Sequence, residues 1–268
     1  MSIITAAYAP SSEYLAETIS GVEQQTLPEG WQLEWIVQED GEAPCLAEHF
    51  KGISYAHYEA NDAQLGAAST RNRALTRATG ELVQVLDSDD ILLPNALASL
   101  IPKFEDSTIH WAVGQADDLM PDGSRVPWPS ALPYGRIAAG MVNEWAEEHG
   151  ANWPIHCAGL MLRVTPLRAL GGWIDLPFDE DIAMFAALSE MCDGYNFDGV
   201  TWLYRQHSGQ TTRNKGMHHL GAASRRFALQ RAKAVRNIGL KFGEHRDVLD
   251  AGHDVEVGPA AKKTDLTE

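Results

Sequence analysis

The stretch "LVQVLDSDDILLP", Leu82 to Pro94, decides the fold. Four apolar residues and one Gln run into Asp87, Ser88, Asp89 and Asp90. An apolar run of this length reads as a buried strand, and three carboxylates within four positions mark its end. Two readings of those acids stand side by side. One is a strand end whose Asp89 or Asp90 caps a helix beginning near Leu92. The other is a site for a divalent cation and phosphate, because hard cations take carboxylate oxygens and keep phosphates in their shell.

Working outward, the pattern repeats. "GAASTRNRALTRAT" before the stretch has helical spacing, with Gly80 as its stop, and "PNALASLIPKF" after it is the next helix. Upstream, "SIITAAY", "LEWIVQED" and "ISYAHYE" read as strands. In "EYLAETISGVEQQT" Leu15, Ile19 and Val22 fall at i, i+4 and i+7 of a helix. Strands alternating with helices predict an α/β domain with a mostly parallel, Rossmann-like central sheet. Ligands of such sheets bind beyond the carboxyl ends of the strands. Thr5 to Tyr8, Asp40 and Asp87 to Asp90 all fall at such ends.

The second half is less regular. "HWAVGQADDLM" and "PDGSRVPWP" predict a strand pair, and "HCAGLMLRVTPLRALGGW" a strand, a short helix and a Gly-Gly turn. "DEDIAMFAALSEMC" predicts an amphipathic helix with acids in its first turn, where the helix dipole favours them. "GYNFDGVTWLYRQH" is a terminal strand leading to His207 among Arg205, Gln206, Ser208, Thr211 and Arg213. From Arg205 to Arg246 there are ten Lys or Arg and one Glu. "SRRFALQRAKAVRNIGLKF" within that span is a basic amphipathic helix, expected to pack its apolar face on the acidic body. A dock for an anionic partner is the other reading.

Bulk properties bound the function. The chain has 268 residues, 44% hydrophobic, and a net charge of -16. That balance argues against nonspecific nucleic-acid binding. Cys45, Cys157 and Cys192 are too few and too far apart for a disulfide framework or a zinc site, and buried reduced thiols are expected. "MSIITAAYAP" lacks a basic n-region, and no run reaches the roughly 18 apolar residues of a membrane span. The expectation is a cytoplasmic protein.

Taken in this order, "IITAAY", "YLAETISGVEQQT", Asp40-Gly41, "GAASTRNRAL", "ATGELVQVLDSDDILLP", "GGW", "DEDIAMF" and "YRQHSGQTT" resemble the family 2 glycosyltransferases with the GT-A fold. The resemblance runs from Ser2 to Arg213. It implies a glycosyltransferase domain over 1–215, with a nucleotide-sugar half to about 115 and an acceptor-side half over 116–215. A basic C-terminal helix (216–243) and a flexible tail (244–268) would follow. The implied activity is inverting, hexosyltransferase-type transfer from a nucleotide-diphosphate sugar, UDP favoured, to an acceptor hydroxyl, with Mn or Mg as cofactor.

The implied roles are as follows. Thr5, Ala6 and Tyr8 line the nucleoside pocket, and Asp40 accepts a hydrogen bond from the base. Arg71 lies near base and phosphates. Asp87 and Ser88 are on the nucleotide side, and Asp89 of the Asp-x-Asp motif is the metal ligand. Asp181 is the catalytic base, with Glu180 beside it as acceptor binder or alternate base. His207 contacts the diphosphate or the metal. Trp128, Trp145, Trp153 and Trp173 lie in the acceptor half, with Trp153 and Trp173 as acceptor-side candidates. Two positions depart from the family pattern: Glu39 precedes Asp40 where an Asp is usual, and Ala9 follows Tyr8 where an Asn is usual. A sugar nucleotidyltransferase and a non-catalytic nucleotide-sugar-binding protein are the alternatives. "AAYAPSSEY" lacks the Gly and basic residues of the first, and Glu180-Asp181 argues against the second. Partners would be a nucleotide-sugar donor and a small-molecule or glycan acceptor. The basic helix and tail are a candidate homodimer contact.

Overall fold

The computed structural model describes residues 1–210 and 218–246. Its strands are β1 (Ser2–Tyr8), β2 (Glu34–Asp40), β3 (Ala56–Ala60), β4 (Leu82–Val85), β5 (Ile91–Leu92), β6 (Ile109–Leu119), β7 (Arg125–Pro127), β8 (Gly135–Ile137), β9 (Leu160–Arg163) and β10 (Asp193–Arg205). They form one sheet in the order β3-β2-β1-β4-β9-β6-β10-β5, with β7 on β6 and β8 on β10. Strands β3, β2, β1 and β4 are parallel. β9 runs antiparallel to both β4 and β6, and β6 and β10 are parallel. Six strands of that path therefore point the same way, as expected of a mostly parallel sheet.

The helices are α1 (Leu15–Glu23), α2 (Ala47–Phe50), α3 (Ala67–Arg77), α4 (Ala96–Leu100), α5 (Met141–Glu148), α6 (Val164–Ala169), α7 (Glu180–Met191) and α8 (His218–Ile238). Alternate strand residues feed two cores, one on each face of the sheet. Ile4, Ile36 and Val83 pack with Phe185 and Leu188 of α7, while Ile3, Trp35 and Leu82 pack with Leu15 of α1 and Leu97 of α4. Coverage of both faces is why these strands read as continuous apolar runs.

Three local expectations change. Helix α3 ends where Ala78 turns extended, not at Gly80. Gly80 is there because β1 starts against it: a Cβ would stand 2.6 Å from the backbone of Met1 and Ser2. Helix α7 is not amphipathic, since every residue from Ala183 to Met191 is buried. Its second face is covered by α8, whose Ala228, Ala232 and Val235 are buried. Arg231 Nη1 donates to the Ala183 carbonyl at 2.9 Å, and Arg236 binds both oxygens of Glu190 at 2.9 Å. The basic helix thus packs on the acidic body, as expected. Cys157 and Cys192 are buried, but Cys45 is exposed.

The C-terminal packing runs past the expected tail boundary at Glu244. The Phe242 amide donates to Met191 at 2.9 Å and the His245 amide to Ser107 at 2.8 Å. Residues 247–268, and Thr211 and Arg213 of the His207 loop, lie outside the described residues. Among the described residues, no helix is long and apolar enough to cross a membrane.

Candidate active site

Shared strand direction gives β1, β2, β4, β6 and β10 a common carboxyl edge. It receives Tyr8, Asp40, Asp87 to Asp90, and the Arg205-Gln206-His207 run that begins at the last residue of β10. Helices α3 and α7 bring Arg71, Glu180 and Asp181 toward it.

Arg71 is the joint. Its side chain is 6% exposed, with Nη2 2.6 Å from Asp87 Oδ1 and Nη1 2.7 Å from Glu180 Oε1. Burial opposes its charge, but Asp87, Glu180 and Asp181 outweigh that and hold the guanidinium charged. Its Nε is buried without a partner among the described residues. The planar fork explains why Arg is needed: two separate carboxylates are held by the two terminal nitrogens of one rigid group.

The second acid of the motif faces a different cation-capable group. Asp89 Oδ2 lies 2.9 Å from His207 Nε2. Burial, then the neighbouring Asp87 charge, raises the Asp89 pKa, and His207 partly offsets this. Arg205 closes the loop from behind. Its Nε donates to the Asp89 carbonyl at 2.8 Å and its amide to Asp90 Oδ1 at 2.9 Å. From α1, the Thr18 hydroxyl lies 3.0 Å from the Ser88 carbonyl and 2.8 Å from that of Asp90. Sequence reasoning missed Thr18. The signal was there: a Thr between Leu15 and Val22 on the buried face of α1.

Asp90 is not a helix cap. Ile91–Leu92 is a strand paired with β10, and α4 begins only after Asn95. Asp90 is buried, and burial followed by the charges of Asp89 and Asp87 pushes its pKa well up.

Asp181 stands beside Glu180 in the first turn of α7. Burial and the Glu180 charge raise its pKa to about 7, against the opposing pull of Arg71. Its Oδ1 accepts from the Ile182 amide at 2.7 Å. The residue before the pair, Asp179, has φ +55° and accepts from Arg225 Nε of α8 at 3.0 Å.

Other sequence candidates are used differently. Thr5 has no exposed surface, and its hydroxyl accepts from Trp35 Nε1 at 2.9 Å. At this edge β1 offers Ala6, half-buried, and Tyr8, exposed. Asp40 accepts from the Leu65 and Gly66 amides at 2.6 and 3.0 Å and from Asn61 Nδ2 at 3.1 Å, so its carboxylate sets the loop that starts α3. Glu39 accepts from the Cys45 and Leu46 amides at 2.9 Å, which gives this departure from the family pattern a structural task. Ser88 is buried with its carbonyl on Thr18.

Trp153 and Trp173 do not offer ring faces to a ligand. Both are core residues, Trp173 2% exposed and Trp153 bonded through Nε1 to Asn143 at 3.0 Å. Their spacing near Gly-Gly and Pro residues did not reveal that α7 and the sheet enclose them. Trp128 is the exposed one, at 50%.

Among the described residues, no group of three or more His, Cys, Asp or Glu is placed to hold a metal. The available donors are Asp89 and His207. Such a pair suits Mn or Mg, which bind through one or two protein groups when substrate phosphates complete the shell.

Comparison with known proteins gives a consistent result. The model for glycosyl transferase family 2 matches residues 2–160. An uncharacterized glycosyltransferase of Methanocaldococcus jannaschii is 30% identical over 108 residues, 36% of this chain and 34% of its own. The chain thus spans about a third of that relative. Among solved structures, S. aureus TarS 1-349 in complex with UDP-GlcNAc aligns with TM-score 0.61 and 16% identity, over 80% of this chain and 60% of that one. The same fragment with UDP aligns with TM-score 0.58 and 17% identity, over 76% and 60%. At such identity the likeness shows the fold, which is the GT-A-like architecture the sequence led one to expect.

Proposed function

The chain belongs to glycosyl transferase family 2, and we propose that it is a metal-dependent, inverting glycosyltransferase using a nucleotide-diphosphate sugar, UDP favoured. One observation carries the reading: a single buried guanidinium, Arg71, holds Asp87 of the Asp-x-Asp turn and Glu180 of the acidic pair together. Strand-end carboxylates and a helix-start acid are thereby fixed in one site, next to an Asp of pKa about 7.

In the proposed mechanism the donor's diphosphate lies over Asp89 and His207, and the nucleoside lies over Ala6, Tyr8 and the loop shaped by Asp40. Mn or Mg would be held by Asp89 and His207 and would supply positive charge beside the diphosphate. Asp181 takes the proton of the acceptor hydroxyl. That oxygen bonds to the anomeric carbon from the face opposite the leaving group. The carbon–oxygen bond to the diphosphate breaks, its electron pair leaves with the phosphate oxygen, and configuration inverts. A carboxylate near neutrality suits this task, because it is both deprotonated and basic at working pH. Arg71 holds the Glu180 carboxylate in place at 2.7 Å, beside the Asp181 whose pKa Glu180 helps to raise.

The UDP and UDP-GlcNAc complexes of TarS support a UDP-sugar donor without identifying the sugar here. A thermal-shift panel of UDP, GDP and dTDP sugars, each with and without Mn, tests the reading. Stabilisation by UDP sugars that requires Mn supports it. Stabilisation by none of them counts against it.

A further inference from the structure

The imidazole of His207 is tied down at one nitrogen only. Nε2 lies 2.9 Å from Asp89 Oδ2, while Nδ1 has no hydrogen-bond partner among the described residues. An imidazole that ligates a cation is ordinarily held by its second nitrogen, which donates to a carboxylate or carbonyl and so sets both tautomer and ring plane. The main chain of His207 is fixed, since its amide donates to Gln210 Oε1 at 3.2 Å. That bond leaves the side-chain torsions free. The ring also borders a cleft of about 330 Å³, walled on its far side by Leu119, Met120 and Pro121. There is space on that side for the imidazole to turn away from Asp89.

What stands against the ring is Tyr14, half-buried at the point where the chain enters α1. The two ring centroids are 4.6 Å apart and the planes cross at 48°. Tyr14 is itself held from behind. The Arg205 guanidinium lies 4.8 Å from the centroid of the Tyr14 ring, within cation–π range. Arg205 in turn is anchored on three sides. Its amide donates to Asp90 Oδ1 at 2.9 Å, its Nε donates to the Asp89 carbonyl at 2.8 Å, and its Nη2 stands 3.1 Å from Glu17 Oε2 of α1. The guanidinium that holds the main chain of Asp89 thus also holds the ring that backs His207.

We infer that Tyr14 is a positioning residue: its ring, seated on Arg205, fixes the plane of the His207 imidazole and keeps Nε2 turned to Asp89. The inference rests on the reading of Asp89 and His207 as the cation-binding pair. An aromatic ring does here what a second hydrogen bond does for most ligating imidazoles. Donors held in place before the cation arrives lose little freedom when it binds, so a ring free to turn weakens the site even with every ligand present. Tyr14 acts through His207 and not on the substrate directly. The contact is made by the ring and not by the hydroxyl, so Phe can replace Tyr14 and an aliphatic residue cannot.

Two measurements on the full chain test this. The first is a long-range ¹H–¹⁵N correlation spectrum of the imidazoles at pH 8 without Mn, with the His207 signals assigned from His207→Ala. The second is calorimetric titration with UDP, with and without Mn. Wild type and Tyr14→Phe show His207 as one tautomer, with the proton on Nε2. Tyr14→Leu and Tyr14→Ala show the averaged shifts of two exchanging tautomers. In those two variants the gain in UDP affinity that Mn brings falls five-fold or more, while UDP affinity without Mn stays within two-fold of wild type. A wild-type His207 spectrum in both the Leu and the Ala variant overturns the inference. So does an equal loss of UDP affinity with and without Mn, which marks a general structural role. If Mn brings the wild-type chain no gain in UDP affinity, the cation reading fails instead, and the His207 spectrum still decides whether Tyr14 positions the ring.

Discussion

Arg71 Nη1 donates to Glu180 Oε1 at 2.7 Å, a bond that joins residues 109 positions apart. It fastens the start of α7 to the strand edge, and with the Asp87 bond it makes one buried group responsible for two acids. Removal of that group leaves Asp87 and Glu180 facing each other and Asp181 without a cation. Breaking a buried ion pair on one side costs about 3–5 kcal/mol. Arg71→Met is therefore expected to lower unfolding stability by a large part of that range, measured by urea denaturation at pH 7.5. Arg71→Lys, which cannot reach both acids as a rigid fork, is expected to fold better than Arg71→Met yet lose most transfer activity. A neutral effect of Arg71→Met on both readouts would contradict the bridging role.

The pH dependence follows from Asp181. Its pKa is raised from 3.8 to about 7 by burial and the Glu180 charge. A base works deprotonated, so kcat/KM should rise with pH as a single limb centred near 7 and level off above it. If Asp181 were an acid, the limb would fall instead. Stability runs the other way. The folded state holds the Asp181 proton more tightly than the unfolded chain, so the residue's contribution is present below pH 3.8 and is lost as pH rises through about 7. Asp181→Asn removes that dependence, and denaturation midpoints of both proteins at pH 5 and pH 8 measure it.

Asp89 and His207 are expected to act on nucleotide binding through the cation. Asp89→Asn should weaken the Mn-dependent thermal shift by UDP more than ten-fold in apparent affinity. It should leave any Mn-independent shift in place. His207→Ala should act in the same direction and more weakly, because Asp89 remains. A Mn-dependent shift that survives both changes would place the cation elsewhere.

Asp40 is predicted to matter for the fold before it matters for any ligand. It accepts two backbone amides at Leu65 and Gly66, and hydrogen bonds to charged groups contribute roughly 1.5–3 kcal/mol each. Asp40→Ala should destabilise the chain by about that much or more in urea. Asp40→Asn, which keeps an acceptor, should cost less. Equal stability of all three proteins would contradict the loop-setting role.

Much of this site was legible because its acids end strands and begin a helix, positions that local pattern reveals. Asp87 and Asp89 follow one strand, Glu180 and Asp181 open one helix, and the two groups meet at the same edge of the sheet. What the pattern hides is which atom a carboxylate faces. Asp40 and Asp90 read as site or cap residues, yet Asp40 sets a loop and Asp90 sits buried beneath the turn, holding the Arg205 amide. Those assignments depend on partners 25 and 115 positions away, and no local signal encodes them.

The aromatic residues teach the same lesson from the other side. Trp153, Trp173 and Trp128 look alike in sequence. Burial separates them, and burial is decided by α7 being covered on one face by the sheet and on the other by α8. Helix α7 itself read as amphipathic because a helix with acids at its start and apolar residues after it resembles a surface helix. Only the docking of α8 shows that both faces are core.

The central claim is that Asp181 is the base of a transfer reaction, and its isosteric neutral variant tests that most directly. Transfer by Asp181→Asn should fall at least a thousand-fold, below detection in a coupled UDP-release assay with the donor and acceptor that serve the wild type. Its Mn-dependent UDP thermal shift should stay within two-fold of wild type. Turnover near the wild-type rate in Asp181→Asn would contradict the account.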